Sequence, residues 1–181
     1  YVVLSIPLGR IVDRANRIRV LVFGILVWTI GCVTCGLAKN FWQLGVARMG
    51  VGAGEASVTP ASWSLLADYF PENKRALPVS IFLMGPYLGA GLSLILGAEV
   101  VGWASGLGVI KLPMVGALAP WQITFMLVSL PGLLMVFLLP LLQEPARKQR
   151  LTETAEPLGW GDVAHYVWPR RGVFGAYLLG A

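Results

Sequence analysis

The sequence predicts an all-α protein that crosses a lipid bilayer several times, and three observations predict it. The composition is 56% hydrophobic and 13% charged, with a mean hydropathy of +0.72; soluble domains carry about 25% charged residues. Charges fall in short clusters between apolar runs of about 20 residues, enough for a helix rising about 1.5 Å per residue to cross about 30 Å of hydrocarbon. The clusters also alternate between rich and poor in Lys and Arg, as loops on the two sides of a membrane do.

Residues 1–8 are apolar and are the expected tail of a helix leaving the membrane. With no initiator Met and too few residues for a span, the chain is expected to be an internal piece of a longer protein. Residues 9–19 follow as a cytoplasmic loop holding four arginines and Asp13. The first complete span, 20–38, carries no charge, and Lys39 and Asn40 mark its exit. The second, 41–66, contains Arg48, Glu55 and Pro60 and leads into a polar loop at 68–75; the third is 76–97. Residues 98–119 are Gly-rich and contain Glu99, Lys111 and Pro113, which predicts a long external connection with room for a short interfacial helix. The fourth span, 121–142, is entered through Pro120 and Trp121, whose indole suits the headgroup level. Residues 1–142 thus form a bundle, 143–171 an aqueous linker, and 172–181 the start of a further span.

Eleven Lys and Arg residues lie in the loops 9–19, 68–75 and 143–171, and two in 39–40 and 98–119. Cytoplasmic loops carry the excess, so the first set is expected in the cytoplasm, with the plasma or bacterial inner membrane as the expected location. The net charge of +5 comes without a basic stripe interleaved with aromatics, which argues against nucleic acid. Cys32 and Cys35 have no His, Asp or Glu nearby in sequence and are expected to be small packing residues. Gly50, Gly52 and Gly54 follow no strand, so a nucleotide loop is excluded. No nucleophile, metal or cofactor constellation is visible; neither an enzyme nor a cofactor or metal site is expected, and His165 has no assigned role.

Arg48 and Glu55 interrupt the otherwise uncharged run 40–67. Each costs about 2.5–3.5 kcal/mol at a bilayer centre on insertion scales. Seven residues bring a helix back to nearly its starting direction, so both lie on one face about 10.5 Å apart along the axis. Two accounts fit: ion pairs with neighbouring helices, or a proton-binding Glu55 whose affinity burial raises and Arg48 lowers, so that proton and substrate exchange. Gly85, Gly89, Ser93 and Gly97 recur at every fourth position and form one small-residue stripe, a surface for close helix approach with Pro86 inside it.

The motif Gly9-x-Ile11-x-Asp13-Arg14-x-x-Arg17 resembles the loop between the second and third helices of the major facilitator superfamily, Gly-x-Leu-x-Asp-Arg-x-Gly-Arg. Asn16 stands where that family has Gly, a residue tolerant of a left-handed turn. Arg48 with Gly50, Gly52 and Gly54 is similar to the fourth-helix pattern, and Gly85-Pro86-x-x-Gly89 to the fifth-helix motif. The run Arg48-x-Gly50-Val51-Gly52-x-Gly54-Glu55-Ala56-Ser57-x-x-Pro60-Ala61-x-x-Ser64-x-x-Ala67-Asp68-Tyr69-Phe70-Pro71 resembles the spinster-like branch, as do Trp121-Gln122, Ser129-x-Pro131-Gly132 and Glu144-Pro145-x-Arg147. That branch handles sphingolipid-type and other amphipathic metabolites.

The resemblance implies the end of helix two through the start of helix seven of a twelve-helix fold, thus a partial N-terminal six-helix bundle. It implies a monomeric secondary transporter working by alternating access, with a small amphipathic or anionic solute, protons and the lipid bilayer as partners. A carboxylate among arginines at a membrane-edge turn suits a charge clamp formed in one state and released in another, whereas arginines alone would serve only as topological anchors. The clamp residues are then Gly9, Asp13, Arg14 and Arg17, with Asp68 and Arg75 across the next turn. A receptor, channel subunit or scaffold retaining the bundle is the alternative.

Overall fold

The computed structural model describes residues 2–112, 116–147, 161, 165–166 and 168–173. The chain divides into two compact units, Tyr1–Ala146 and Arg147–Ala181. The first contains α1 (Val2–Arg14), α2 (Arg17–Leu37), α3 (Phe41–Tyr69), α4 (Ala76–Leu107) and α5 (Pro120–Leu138). A two-stranded antiparallel hairpin, β1 (Ile110–Leu112) and β2 (Gly116–Leu118), joins α4 to α5 with Ile110 opposite Leu118. Three helical stretches are long and apolar enough to cross a membrane: α2, α4, and α5 with its 3-10 continuation to Leu141. The 29 residues of α3 reach about 43 Å, but its charges and glycines leave it outside that set.

Three expectations change. The predicted loop at 9–19 is mostly helical, because α1 runs through Asp13 and Arg14 and α2 starts at Arg17. Arginine favours a helix, and two residues suffice for the turn. Asn16 makes that turn with φ −65° and ψ 118°, not left-handed, and its Oδ1 accepts a 2.8 Å hydrogen bond from the Arg19 amide as the cap of α2. The third helix extends ten residues beyond its expected end at 97: Glu99 alone does not interrupt a run of helix formers, and the stop comes at Gly108, whose φ of 64° few other residues adopt. The hairpin then occupies the place expected for an interfacial helix.

The turn between α2 and α3 is locked by reciprocal side-chain bonds. Asn40 Oδ1 accepts from the Gln43 amide at 2.9 Å, and Gln43 Oε1 accepts from the Lys39 amide at 2.8 Å. Buried Gln122 fastens the start of α5 in the same region, accepting from the Ala119 amide and donating to Ala38 O at 3.0 Å.

Helix α2 is the axis of the unit, lying against both α3 and α5. Its contact with α3 is backbone on backbone: a Cβ at Gly54 would stand 2.5 Å from Gly24 O and 2.5 Å from Trp28 N, and one at Gly31 2.9 Å from Val51 N. Only glycine permits that approach, and dispersion rather than water expulsion holds such a contact inside a membrane. Two apolar clusters flank it. Val12, Ile18, Leu21, Ala61 and Leu65 fill the arginine-rich end, and Cys32, Cys35, Ala47 and Val51 fill the other, where both cysteines are free and buried.

Helix α4 stands apart from this packing, touching mainly α5 and meeting α3 through an edge-to-face pair of Trp63 and Phe82 at 5.6 Å. Gly85, Gly89 and Ser93 are exposed and Gly97 is half-buried; nothing described lies within 4 Å of a Cβ built on any of these glycines.

In the second unit a 3-10 turn, Trp168–Arg170, carries stacked pairs, with Arg170 4.2 Å from the Tyr166 ring centroid and Arg171 5.3 Å from that of Trp168. The further span expected at 172–181 lies, beyond Val173, outside the described residues, as do most positions of the 143–171 linker.

Gly54→Ala is expected to lower stability by about 1–3 kcal/mol, because backbone and not a flexible side chain must shift. Gly50→Ala, with open space around it, is expected to be neutral or to gain up to about 1 kcal/mol of helix propensity. Thermal unfolding of the full-length protein in detergent reads both.

Candidate functional site

Two groups of polar residues stand out, one at the arginine-rich end of the bundle and one along α3. At the first, the guanidinium of Arg17 is fully buried. Its Nη1 pairs with Asp68 Oδ2 and donates to Ser64 Oγ at 3.2 Å and Ser64 O at 3.3 Å. Nη2 donates to Pro145 O at 2.8 Å, and Nε to Glu144 Oε1 at 3.1 Å. The Arg17 main-chain amide also donates to Glu144 Oε1, at 3.0 Å, so this carboxylate satisfies one of the first-turn donors of α2 and faces the positive end of the helix dipole.

This network draws on three separate pieces of chain: the start of α2, the last turns of α3, and the segment after α5. Each position follows from local structure. The Asn16 cap starts α2 at Arg17; Ser64 and Asp68 are one helical turn apart on α3; and the 3-10 turn Leu139–Leu141 ends α5 so that Glu144 and Pro145 fold back beneath it. The Tyr69 hydroxyl donates to Gln143 O beside it. A buried cation held by two carboxylates and neutral oxygens offsets the desolvation that would otherwise expel it.

The other residues expected in the clamp are placed differently. Arg75 caps the end of α3, its Nη2 donating to Ala67 O at 2.7 Å and, with Nε, to Phe70 O at 3.4 Å. Asp13 and Arg14 are exposed on the last turn of α1, and Gly9 is half-buried with open space around its Cα. Sequence reasoning missed Glu144 and Ser64 as partners of Arg17. The signal for Glu144 was its position as the first charge after a long apolar run; Ser64 gave none, because a serine one turn from an acid occurs in many helices.

Along α3, Ala47, Val51, Gly54, Ala61 and Leu65 are buried, while Arg48 and Glu55 are exposed on an adjacent face with half-buried Gly52 between them. The Arg48 guanidinium lies over the Phe125 ring of α5, 5.5 Å from its centroid. Among the described residues no group of three or more His, Cys, Asp or Glu is arranged to hold a metal. His165 is exposed in the second unit.

Known proteins match along the chain. The Major Facilitator Superfamily profile matches residues 1–181. Protein spinster homolog 1 of Rattus norvegicus is 36% identical over 104 residues, 55% of this chain and 19% of that protein. The probable sphingolipid transporter spinster homolog 1 of Arabidopsis thaliana is 32% identical over 93 residues, 50% of this chain and 19% of that one. The Xenopus laevis spinster homolog 1 aligns over 161 residues at 29% identity, covering 87% of this chain and 28% of its own. The chain thus spans between about a fifth and three-tenths of these relatives.

Among solved structures, a bacterial homolog of the human lysosomal transporter Spinster, in an inward-facing, unoccupied conformation, superposes with a TM-score of 0.71 at 29% identity. The match covers 93% of this chain and 38% of that one. With a profile match across its length and this agreement in fold, the chain belongs to the major facilitator superfamily, a family of multi-pass membrane transporters and not of enzymes, and its relatives are of the spinster type.

Proposed function

We propose that this chain is part of a secondary active transporter that moves a small amphipathic or anionic organic solute by alternating access, coupled to protons. The observation that carries the proposal is the open α3 face, where Arg48 and Glu55 stand exposed beside a helix flank that is otherwise buried apolar surface. Two charges kept at such depth have a task, and a solute-filled passage supplies the polar environment they need. Arg48 offers a cation to an anionic solute, and Glu55 offers a carboxylate that a proton neutralises. The relatives' names, which include a probable sphingolipid transporter, support an amphipathic cargo. The charge asymmetry supports a cytoplasmic position for the arginine-rich end, in a plasma or bacterial inner membrane.

The two sets of clamp residues then have different tasks. The Arg17 network ties together elements of a single bundle and keeps its cytoplasmic end rigid. Asp13 and Arg14 are exposed on the last turn of α1, at the end of the bundle that would meet a facing half, and in this reading they take part in the contact that differs between states.

Glu55→Gln is expected to abolish proton-driven transport in proteoliposomes while counterflow of the same solute persists, with a panel of anionic and amphipathic compounds as substrates. Transport with unchanged pH dependence in this variant would remove the coupling role. Asp68→Asn leaves a buried guanidinium with one carboxylate and is expected to cost about 3–5 kcal/mol of stability, read as a lower melting temperature. Asp13→Asn is expected to lower melting less than Asp68→Asn does and to slow transport at least tenfold. Equal melting losses in Asp13→Asn and Asp68→Asn would contradict the division of tasks.

A further inference from the structure

The guanidinium of Arg48 is held differently from those of Arg17 and Arg75. They donate to carboxylate, hydroxyl and carbonyl oxygens, whereas Arg48 donates to no oxygen among the described residues and lies 5.5 Å from the centroid of the Phe125 ring. An aromatic face attracts a cation without neutralising it and leaves its five N–H groups open to another acceptor. The ring itself is well fixed. Phe125 packs against the buried cluster of Cys32, Cys35, Ala47 and Val51, and Trp121, one turn earlier on α5, meets it edge to face at 6.2 Å and 90°. The start of α5 is tied to Ala38 O through Gln122.

Arg48 also has a competing partner. Glu55 lies two turns further along the same exposed face, about 10.5 Å along the axis, and because helical side chains lean toward the N-terminus, it leans toward Arg48. Gly52, between them on that face, carries no side chain to separate them. Arg48 and Glu55 nevertheless form no ion pair.

We propose, on the reading of the α3 face as a solute site, that Phe125 is a positioning residue: its ring holds Arg48 toward α5, so that the guanidinium and Glu55 stay apart and both remain available. Without the ring the two long side chains close the gap and pair, which leaves neither a free cation for an anion nor a free carboxylate for a proton. An aromatic ring suits this task better than the alternatives. A carboxylate in its place would hold Arg48 with a charge that every arriving anion must displace, and an aliphatic side chain would not hold it.

The test treats the purified full-length protein in detergent with phenylglyoxal, a reagent for guanidinium groups, and reads the rate at Arg48 by peptide mass spectrometry relative to exposed Arg19 of the same molecule. Pairing with Glu55 engages the N–H edge that the reagent attacks. Phe125→Leu is therefore expected to slow modification of Arg48 at least threefold, Phe125→Tyr to leave it within a factor of two, and Glu55→Gln added to Phe125→Leu to restore it. Phe125→Met carries the test if Phe125→Leu does not fold. An unchanged or faster rate in Phe125→Leu overturns the proposal, as does a fall that the added Glu55→Gln does not reverse, which is what mere loss of packing would give. In counterflow of any anionic compound that the unmodified protein exchanges, Phe125→Leu is expected to raise KM at least threefold with kcat nearly unchanged, and an unchanged KM overturns the part of Phe125 in solute binding. If no compound exchanges, the transport reading fails, while the phenylglyoxal rates, which need no solute, still decide what holds Arg48.

Discussion

The bundle depends on one buried guanidinium. A cation shielded from water must be surrounded by acceptors, and Arg17 finds them on α3 and on the segment after α5. The arrangement works only if three helix ends arrive together. It therefore fixes where α2 starts, where α3 ends and how the chain leaves α5. The apolar cluster of Val12, Ile18, Leu21, Ala61 and Leu65 fills the adjoining space and keeps water from competing for those bonds.

A second constraint acts along the length of α2. Inside a bilayer, water expulsion does little to hold one helix against another, so close approach must supply the contact energy. Gly24, Gly31 and Gly36 on α2 meet Gly54, Val51 and the Gln122–Met126 turn, while Gly132 of α5 receives Trp28. The polar lock at one end sets the register of the helices, and the glycines let them stay close over the rest of their length. Neither substitutes for the other: ion pairs at one end leave the far end free to splay, and small residues alone permit sliding.

Much of this was legible in the sequence. Helix positions followed from uncharged runs, and Arg17 and Asp68 were named from the pattern around them. What was not legible shared a physical cause. Helix ends depend on single cap residues: Asn16 stopped α1 from merging with α2, and Gly108, not Glu99, ended α4. The partners of Arg17 depend on how the chain folds back after α5, which periodicity does not encode. For that reason Glu144 was visible as part of a motif and not as a ligand. Arg75 illustrates the converse, since a basic residue near an acid in sequence is used here on carbonyl oxygens of the preceding helix.

Among the exposed faces of the unit, those of α3 and α4 differ in what would cover them. On α4, Gly85, Gly89 and Ser93 present a narrow groove without charge, suited to the side chains of a helix packed at short range. On α3, the exposed Arg48 and Glu55 would destabilise such a contact unless every charge met a partner of opposite sign. Water and a polar solute meet that requirement more simply, because they reorganise as the charges change. Arg48 rests on the Phe125 ring, a contact worth about 0.5–2 kcal/mol. That is weak enough for a fully charged partner to displace, and strong enough to hold the guanidinium on the α5 side of α3 in its absence. The face best suited to a permanent neighbour and the face best suited to a transient one are thus on different helices.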